Sequence, residues 1–301
     1  MLMRGKDLQK GAGGTITEES REQNLAIFKN ALDVVVNLNN WHTFMNIFAG
    51  AGYLSEKFVA STNAVVYSYV LYLIGRYEYK VSPVVLQNVM KRWIFMSTIT
   101  YFYTGSTESE VEKQFADLRE IHTAEEFVDY LDATIKAAFT DDYFKYTLPK
   151  ELVTSSTQSP VWYGYIAALN VLGTPMLFST TPLSQYLVVG ANGTKKSVDV
   201  HHIFPKNHLA QIGYDNDRDR NQIANYTFLD YQTNIDVSDN PPEDYVSVFR
   251  EKLGEEKYLL TCEQNALPRD FEKMEYMDFL QERRNLMAGV ILRAYKELSK
   301  S

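Results

Sequence analysis

The stretch that decides how this chain folds and acts is Val198-Asp199-Val200-His201-His202-Ile203-Phe204-Pro205. Its β-branched residues predict a strand over 198–203, and Pro205 predicts the end of that strand, because proline cannot donate to a sheet ladder. Three of the chain's five histidines lie within 201–208. Because histidine is rare in this chain and two histidines are adjacent here, the pattern indicates that the strand carries a chemical site.

Two asparagines follow this strand at distinct separations. Asn225 lies 23 residues after His202, and Asn234 lies nine residues after Asn225. The residues between them predict a second strand over 226–229 and a short helix over 230–238. An earlier strand candidate covers 186–189, with a turn at 190–193. The predicted order around the site is therefore strand, irregular excursion, strand and short helix.

The rest of the chain has the period of helices, so the predicted fold class is mainly α. We expect a flexible arm over 1–20, a helical domain over 21–184, and a small ββα unit with C-terminal helices over 185–301. Thr123 and Glu126 have the spacing of a capping box, and Asn240 with Pro241 predicts a helix start. The predicted helices begin near 21 and then cover 41–50, 58–75, 82–103, 107–120, 123–139, 160–173, 240–253 and 271–298.

Composition narrows the classes of function. The formal net charge of −8 and a pI near 5.3 argue against a broadly basic protein that coats nucleic acid. Cys262 is the only cysteine, which excludes an internal disulfide and a cysteine-based zinc ribbon. The apolar run 59–75 is interrupted by polar residues and favours a buried helix over a membrane span. No secretion signal is recognisable, so we expect a cytoplasmic protein without a membrane partner.

Hydrolysis of a phosphodiester needs a neutral base, a cation near the phosphate, and groups that fix the tautomer of the base. Histidine is largely neutral near pH 7 and can act as the base. Imidazole nitrogens and amide oxygens can also bind a divalent ion while leaving positions open for water. The histidines and asparagines of 198–234 supply residues of these types.

These residues resemble an HNH endonuclease, the ββα-metal fold, in the form found at the C-terminal end of GmrSD-type modification-dependent restriction enzymes. The resemblance rests on His202-Ile203-Phe204-Pro205, on the segment from Gln222 to Asp230, and on Asn234. Arg92-Trp93-Ile94-Phe95-Met96 and the segment 103–109 extend it towards the N-terminus. It covers most of 80–295 and implies a DNA endonuclease of restriction or phage defence that leaves a 5′-phosphate and a 3′-hydroxyl.

The resemblance implies a role for each matched residue. His202 would be the general base, Asn225 would brace the loop and orient the base, and His201 and Asn234 would be metal ligands. Many relatives have a carboxylate where this chain has His201, and Asp199 is the rival that could supply one. Asp230, four residues before Asn234, is a further candidate.

Mg²⁺ is the ion that the resemblance implies, but a neutral ligand in place of a carboxylate would favour Mn²⁺ or another transition metal. Adjacent residues of a regular strand point to opposite faces. Both histidines therefore reach one site only if the strand is distorted at its end.

Basic residues near the motif are candidates for contacts with a DNA backbone. Each group also has a structural explanation. The charged run around Asp217 can be a solvated loop, and the arginines of the last helix can pair with Glu282 and its neighbours. The candidate nucleic-acid-binding residues are Lys206, Arg218, Arg220, Arg283 and Arg284.

Two other functions are compatible with the sequence. In one, the helical domain is an interaction or recognition module and the HNH-like unit is degenerate and non-catalytic. In the other, the nuclease acts on RNA. Relatives often carry a nucleotide-hydrolysing domain whose motifs this chain lacks, so an NTPase domain or subunit would be a separate partner.

Overall fold

A computed structural model describes residues 18–104, 107–187 and 198–300, without the side chains of Glu56, Val198 and Asp199. The first part of the chain is helical, as the sequence predicts. A π-helical turn over Tyr143–Thr147 precedes the seventh helix. The helices are α1 (Glu18–Val35), α2 (Leu38–Gly50), α3 (Thr62–Tyr77), α4 (Pro83–Ile99), α5 (Thr107–Arg119), α6 (Ala124–Ala138), α7 (Leu148–Glu151) and α8 (Pro160–Val171).

Two of these helices form the centre of the core. From Pro160 to Leu169 every residue of α8 is buried, which is expected of a helix that is apolar on all sides. Helix α4 packs against α2, α3, α6 and α8, and its residues 93–99 are all buried. The backbones approach closely at Gly164, where an added Cβ would lie 2.4 Å from Ile99 Cγ1.

The second part of the chain contains the strands and the remaining helices. Strands β1 and β2 are antiparallel, with Val200 opposite Phe228, His201 opposite Thr227 and His202 opposite Tyr226. Helix α12 follows β2 directly and contacts both strands. The elements are α9 (Ser184–Leu187), β1 (Val198–His202), α10 (Lys206–Gln211), α11 (Asp217–Arg220), β2 (Tyr226–Asp230), α12 (Tyr231–Val237), α13 (Pro242–Leu253), α14 (Glu255–Gln264) and α15 (Tyr276–Leu298).

Several predictions of local structure are confirmed. Strands β1 and β2 and helix α12 lie within two residues of their predicted bounds. The capping box is present, with Glu126 N donating to Thr123 Oγ1 and Thr123 N donating to Glu126 Oε2. The apolar run 59–75 became helix α3. No helix in the described ranges is long and apolar enough to cross a membrane.

Other predictions of local structure are wrong. Tyr186 and Leu187 belong to the helical turn α9 and not to a strand, while the rest of that candidate and the turn at 190–193 lie outside the described residues. The N-cap of α13 is Pro241, and Asn240 instead donates from Nδ2 to Val237 O. Helix α14 was not predicted. Residues 1–17 of the predicted arm over 1–20 lie outside the described residues. Residues 18–20 are helical, because α1 begins at Glu18.

The last helix connects the two predicted domains. Helix α15 packs against α4, α7 and α8, and it also contacts the 3-10 turn Ile223–Asn225 between the strands. The division at residue 185 stays a prediction, but a single helix stabilises both sides of it. Any change that displaces α15 should therefore disturb the core and the strand region together.

Gly52 offers a direct test of the packing between α2 and α8. Its φ is +95°, and an added Cβ would lie 2.2 Å from Ala167 O. We expect Gly52→Ala to lower the free energy of unfolding by about 3 kcal/mol or more, because a left-handed backbone and a clash with main chain both oppose it. Urea denaturation measures the change.

Gly289 is the matched control for Gly52. It lies within α15, and an added Cβ there would meet no atom within 4 Å. Gly289→Ala should raise stability by up to about 1 kcal/mol through helix propensity. Similar urea midpoints for the two variants would contradict the predicted close approach of α2 and α8.

Candidate functional site

Asn225 closes the excursion that separates the two strands. Its side chain is fully buried, with Oδ1 accepting from Phe204 N at 2.9 Å. Its Nδ2 donates to Phe204 O at 3.0 Å and to Arg220 O at 3.2 Å. One amide therefore satisfies both main-chain groups of Phe204 and ties the two ends of the excursion together. This geometry agrees with the predicted bracing role of Asn225.

Three further hydrogen bonds fix the same turn from outside. Ile203 N donates to Asn225 O at 2.8 Å, which continues the pairing beyond His202. Tyr245 Oη donates to Ile203 O at 2.9 Å, and Arg283 Nη1 donates to Ala224 O at 2.8 Å. Helix α13 thus holds Ile203 and helix α15 holds Ala224, so the end of β1 is set by tertiary contacts.

His202 lies at that end, in a cleft. Its Nε2 is 3.1 Å from Asn221 Oδ1, and its ring meets the ring of Tyr226 edge-on, with centroids 4.8 Å apart. An amide oxygen only accepts, so this contact places a proton on Nε2 and leaves the lone pair on Nδ1. His202 therefore presents a basic nitrogen with a defined tautomer.

The electrostatics favour a neutral His202. Burial lowers its pKa below the ordinary 6.5, and the nearby charges of Lys206 and His201 lower it further, while the hydrogen bond that His202 donates to Asn221 opposes them. The lowered pKa keeps the ring neutral at pH 7, which is the state that a general base needs. Asn221 was not predicted, since the charged run before it gives no sign that its side chain would reach His202.

His201 does not share this cleft. Val200 and His202 both line the cleft, so the strand keeps its regular alternation up to His202 and His201 points to the other face. The sequence made a shared site for both histidines conditional on a distorted strand end, and β1 is regularly paired with β2 through His202. Thr227, opposite His201, is buried, and α12 with the half-buried Asn234 packs on the same two strands.

The acidic candidates differ in their surroundings. Asp230 caps α12, its Oδ1 accepting from Thr233 N at 2.8 Å. Burial raises the pKa of Asp230. Its hydrogen bonds, including the one from Thr233 N, lower the pKa by more, so the pKa lies below its ordinary value. The side chain of Asp199 lies outside the described residues. Within the described ranges, no group of three or more His, Cys, Asp or Glu side chains is placed to hold a metal.

The predicted DNA-contacting cations divide into three groups. Lys206 and Arg218 are exposed. Arg220 pairs with Asp217 at 2.9 Å, and the half-buried Arg284 donates to Gln222 Oε1 at 2.9 Å. Arg283 is fully buried, so its predicted role in binding DNA is wrong. Its place on the inner face of α15 gives it a structural contact with Ala224 instead.

The cleft beside His202 has a volume of about 600 Å³ and two sets of walls. The sheet side supplies Val200, His202, Tyr226 and Phe228, with Lys206 and Asn221 nearby. The helical part of the chain supplies the rest, including Lys57, Phe58, Trp162 and Tyr163. The sequence did not identify these four residues, since they match no motif and lie far along the chain from His202.

Comparison with protein-family models found no match to this chain, and searches of the curated proteins and of the solved structures found none either. Function is therefore inferred from the geometry of the site.

The bracing role of Asn225 predicts a large effect on stability. Asn225→Ala leaves both buried main-chain groups of Phe204 without their partner, and each such loss costs about 1–3 kcal/mol. We expect the free energy of unfolding to fall by about 2–4 kcal/mol in urea titrations. Asn207→Ala is the control, since Asn207 is exposed and its Nδ2 donates to Asp239 Oδ2 at 3.2 Å. An equal effect of the two changes would contradict the bracing role.

The surroundings of His202 predict its titration. NMR of the imidazole C–H signals should give a pKa below 6.5 for His202. Lys206→Gln should raise that pKa because it removes a nearby positive charge, whereas Asn221→Ala should lower it because it removes the hydrogen bond that favours the protonated ring. A wild-type pKa above 6.5, or shifts of the opposite sign, would contradict this account of the cleft.

Proposed function

We propose that this chain is a metal-dependent phosphodiesterase of the HNH type, with His202 as its general base. The observation that supports the proposal best is the position of His202. It stands at the end of a strand, beside the turn that Asn225 closes, with a lowered pKa and a fixed tautomer in a cleft. The order β1, excursion, β2 and α12 agrees with the ββα unit that this class of enzyme uses.

The chemical step uses the chain's own groups. His202 Nδ1 accepts a proton from a water molecule, and the oxygen of that water forms a bond to phosphorus. The bond between phosphorus and the 3′-oxygen of the preceding nucleotide breaks, and that oxygen takes up a proton from solvent. The products are a 5′-phosphate and a 3′-hydroxyl. Asn221 holds the ring in the tautomer required, and Asn225 holds the backbone that carries it.

His201 and Asn234 are the residues that would hold a divalent ion. One imidazole nitrogen and one amide oxygen fit an ion that keeps open positions, and two neutral donors suit Mn²⁺ better than Mg²⁺. A bound ion supplies positive charge to the phosphate and the leaving oxygen. Because His201 and His202 point to opposite faces of β1, an ion held by His201 would act on the phosphate that the His202-activated water attacks only where that phosphate lies at the end of the strand, at which the two faces meet. Asp199 stays the rival that the sequence offers as the source of a carboxylate ligand.

DNA is the polymer that the resemblance favours, with restriction or antiviral defence as the setting. A cytoplasmic location and an NTPase domain or subunit as partner belong to the same proposal. Lys206 and Arg218, the two exposed cations of the predicted set, are the residues that we assign to backbone contacts.

A second candidate function is that the ββα unit is degenerate and the helical part, which forms one wall of the cleft, is an interaction module. Calorimetric titration with Mn²⁺ separates the two candidates. Binding that is lost in His201→Ala and Asn234→Ala supports the nuclease, and an absence of binding supports the module.

Removal of the base should abolish cleavage. In the presence of Mn²⁺, His202→Ala should lower the rate of cleavage of duplex DNA by about 10²–10⁴-fold, the usual contribution of general base catalysis. Gel electrophoresis of nicked and linear plasmid measures the rate, on plain DNA and on DNA with modified bases.

The control for this experiment is His42→Ala. His42 is exposed on α2 and lies in no part of the cleft, so its removal should leave the rate unchanged. Wild-type protein that cuts neither kind of DNA with any divalent ion would refute the proposed activity.

A further inference from the structure

The cleft beside His202 is built jointly by the strands and by the helical part of the chain. Lys57 and Phe58 lie on the 3-10 turn Glu56–Phe58 before α3, and Tyr163 lies on α8. These residues line the same cleft as His202 and Lys206. The helical part therefore contributes directly to the place where a substrate would meet the base.

The charge of the cleft differs from that of the chain as a whole. Lys57 and Lys206 are both exposed and both line it, and none of its described lining residues is a carboxylate. The chain carries a formal net charge of −8. A pocket of this kind on an acidic protein concentrates anions locally, so its occupant should carry negative charge.

The cleft also has aromatic walls. Phe58 is half-buried, and its ring meets that of Tyr163 edge-on with centroids 5.8 Å apart. Behind them Trp162 stacks on Phe228, with centroids 5.7 Å apart and planes 17° apart, which fixes the wall against the sheet. Lysines combined with aromatic rings are typical of sites where unpaired nucleobases stack and phosphates are neutralised.

The size of the cleft limits the occupant. About 600 Å³ lies within the range of pockets that enclose small ligands, about 300–1,000 Å³. A cleft of this volume can enclose a single nucleotide but cannot enclose a double helix.

We propose that this cleft binds an unpaired DNA nucleotide next to the scissile phosphate, with its base against Phe58 and Tyr163 and its phosphate between Lys57 and Lys206. The scissile character of that phosphate rests on the proposed function, but binding of the nucleotide does not. The protein would therefore select single-stranded, frayed or base-flipped DNA over an intact duplex. Moving a base out of the duplex costs a few kcal/mol of free energy in lost stacking and pairing, and stacking of that base in the cleft offsets the cost.

Fluorescence anisotropy with a short labelled oligothymidylate, in EDTA, tests the proposal without cleavage. The single strand should bind more tightly than the same strand in duplex with oligoadenylate. Phe58→Ala should weaken binding by about 5–150-fold, the effect of removing one stacking aromatic side chain. Lys57→Gln should weaken it as well and reduce its salt dependence.

The chain provides a matched control pair in Lys145 and Tyr146. The Lys145 ammonium lies 5.0 Å from the centroid of the exposed Tyr146 ring, and neither residue lines the cleft. Tyr146→Ala and Lys145→Gln should leave binding unchanged. Equal binding of single strand and duplex, or equal losses in the control variants, would overturn the proposal. Tighter binding of oligouridylate than of oligothymidylate would overturn its assignment to DNA.

His202→Ala distinguishes this proposal from the proposed function. The variant should still bind the single strand while it fails to cut. If His202→Ala still cleaves DNA while Phe58→Ala binds the single strand more weakly, the proposed role of His202 as general base is refuted and the nucleotide site is supported. Unchanged binding in Phe58→Ala, measured on protein with wild-type circular dichroism, would refute the nucleotide site whatever the result for cleavage.

Discussion

The site depends on the hydrogen bonds that the buried Asn225 side chain makes to Phe204 and Arg220. They close an excursion of more than twenty residues at the point where β1 ends. A buried amide with its acceptor and both donors engaged is costly to replace, because each partner left behind is a buried polar group without a bond. The position of His202 follows from this closure, since β1 and the turn can hardly move apart while Asn225 joins them.

The same constraint reaches the helical core through Arg283. This arginine is buried on α15 and donates to Ala224 O, while other residues of α15 pack on α8. Burial lowers the pKa of Arg283, and its guanidinium carbon lies 6.0 Å from the centroid of the Phe279 ring, within the range of a cation–π contact. The last helix thereby ties the turn beside His202 to the most apolar helix of the chain.

The sequence predicted what depends on local pattern. The period of the helices, the alternation in β1 and β2, and the spacing from His202 to Asn225 and Asn234 all belong to short stretches of chain. The burial of Arg283, the contact of Asn221 with His202 and the wall formed by Lys57 and Phe58 depend on packing between distant segments, which local pattern does not encode. The predicted strand failed at Tyr186 and Leu187, which lie in a helical turn, because both residues suit either a strand or a helix.

The two faces of β1 have two different proposed roles. His202 faces the cleft that lysines and aromatic rings surround, and His201 faces the other side, in the sheet that α12 covers. Base and ion must act on one phosphate, so that phosphate would lie at the end of β1, where the two faces meet, while alternation keeps the imidazole of His202 outside the coordination shell of the ion.

Anomalous diffraction from crystals grown with Mn²⁺ tests this division most directly. The account predicts a manganese peak within bonding distance of a nitrogen of His201 and of the amide oxygen of Asn234, with His202 outside the coordination shell and facing the cleft. A peak bonded to His202, or no peak at His201 and Asn234, would contradict it.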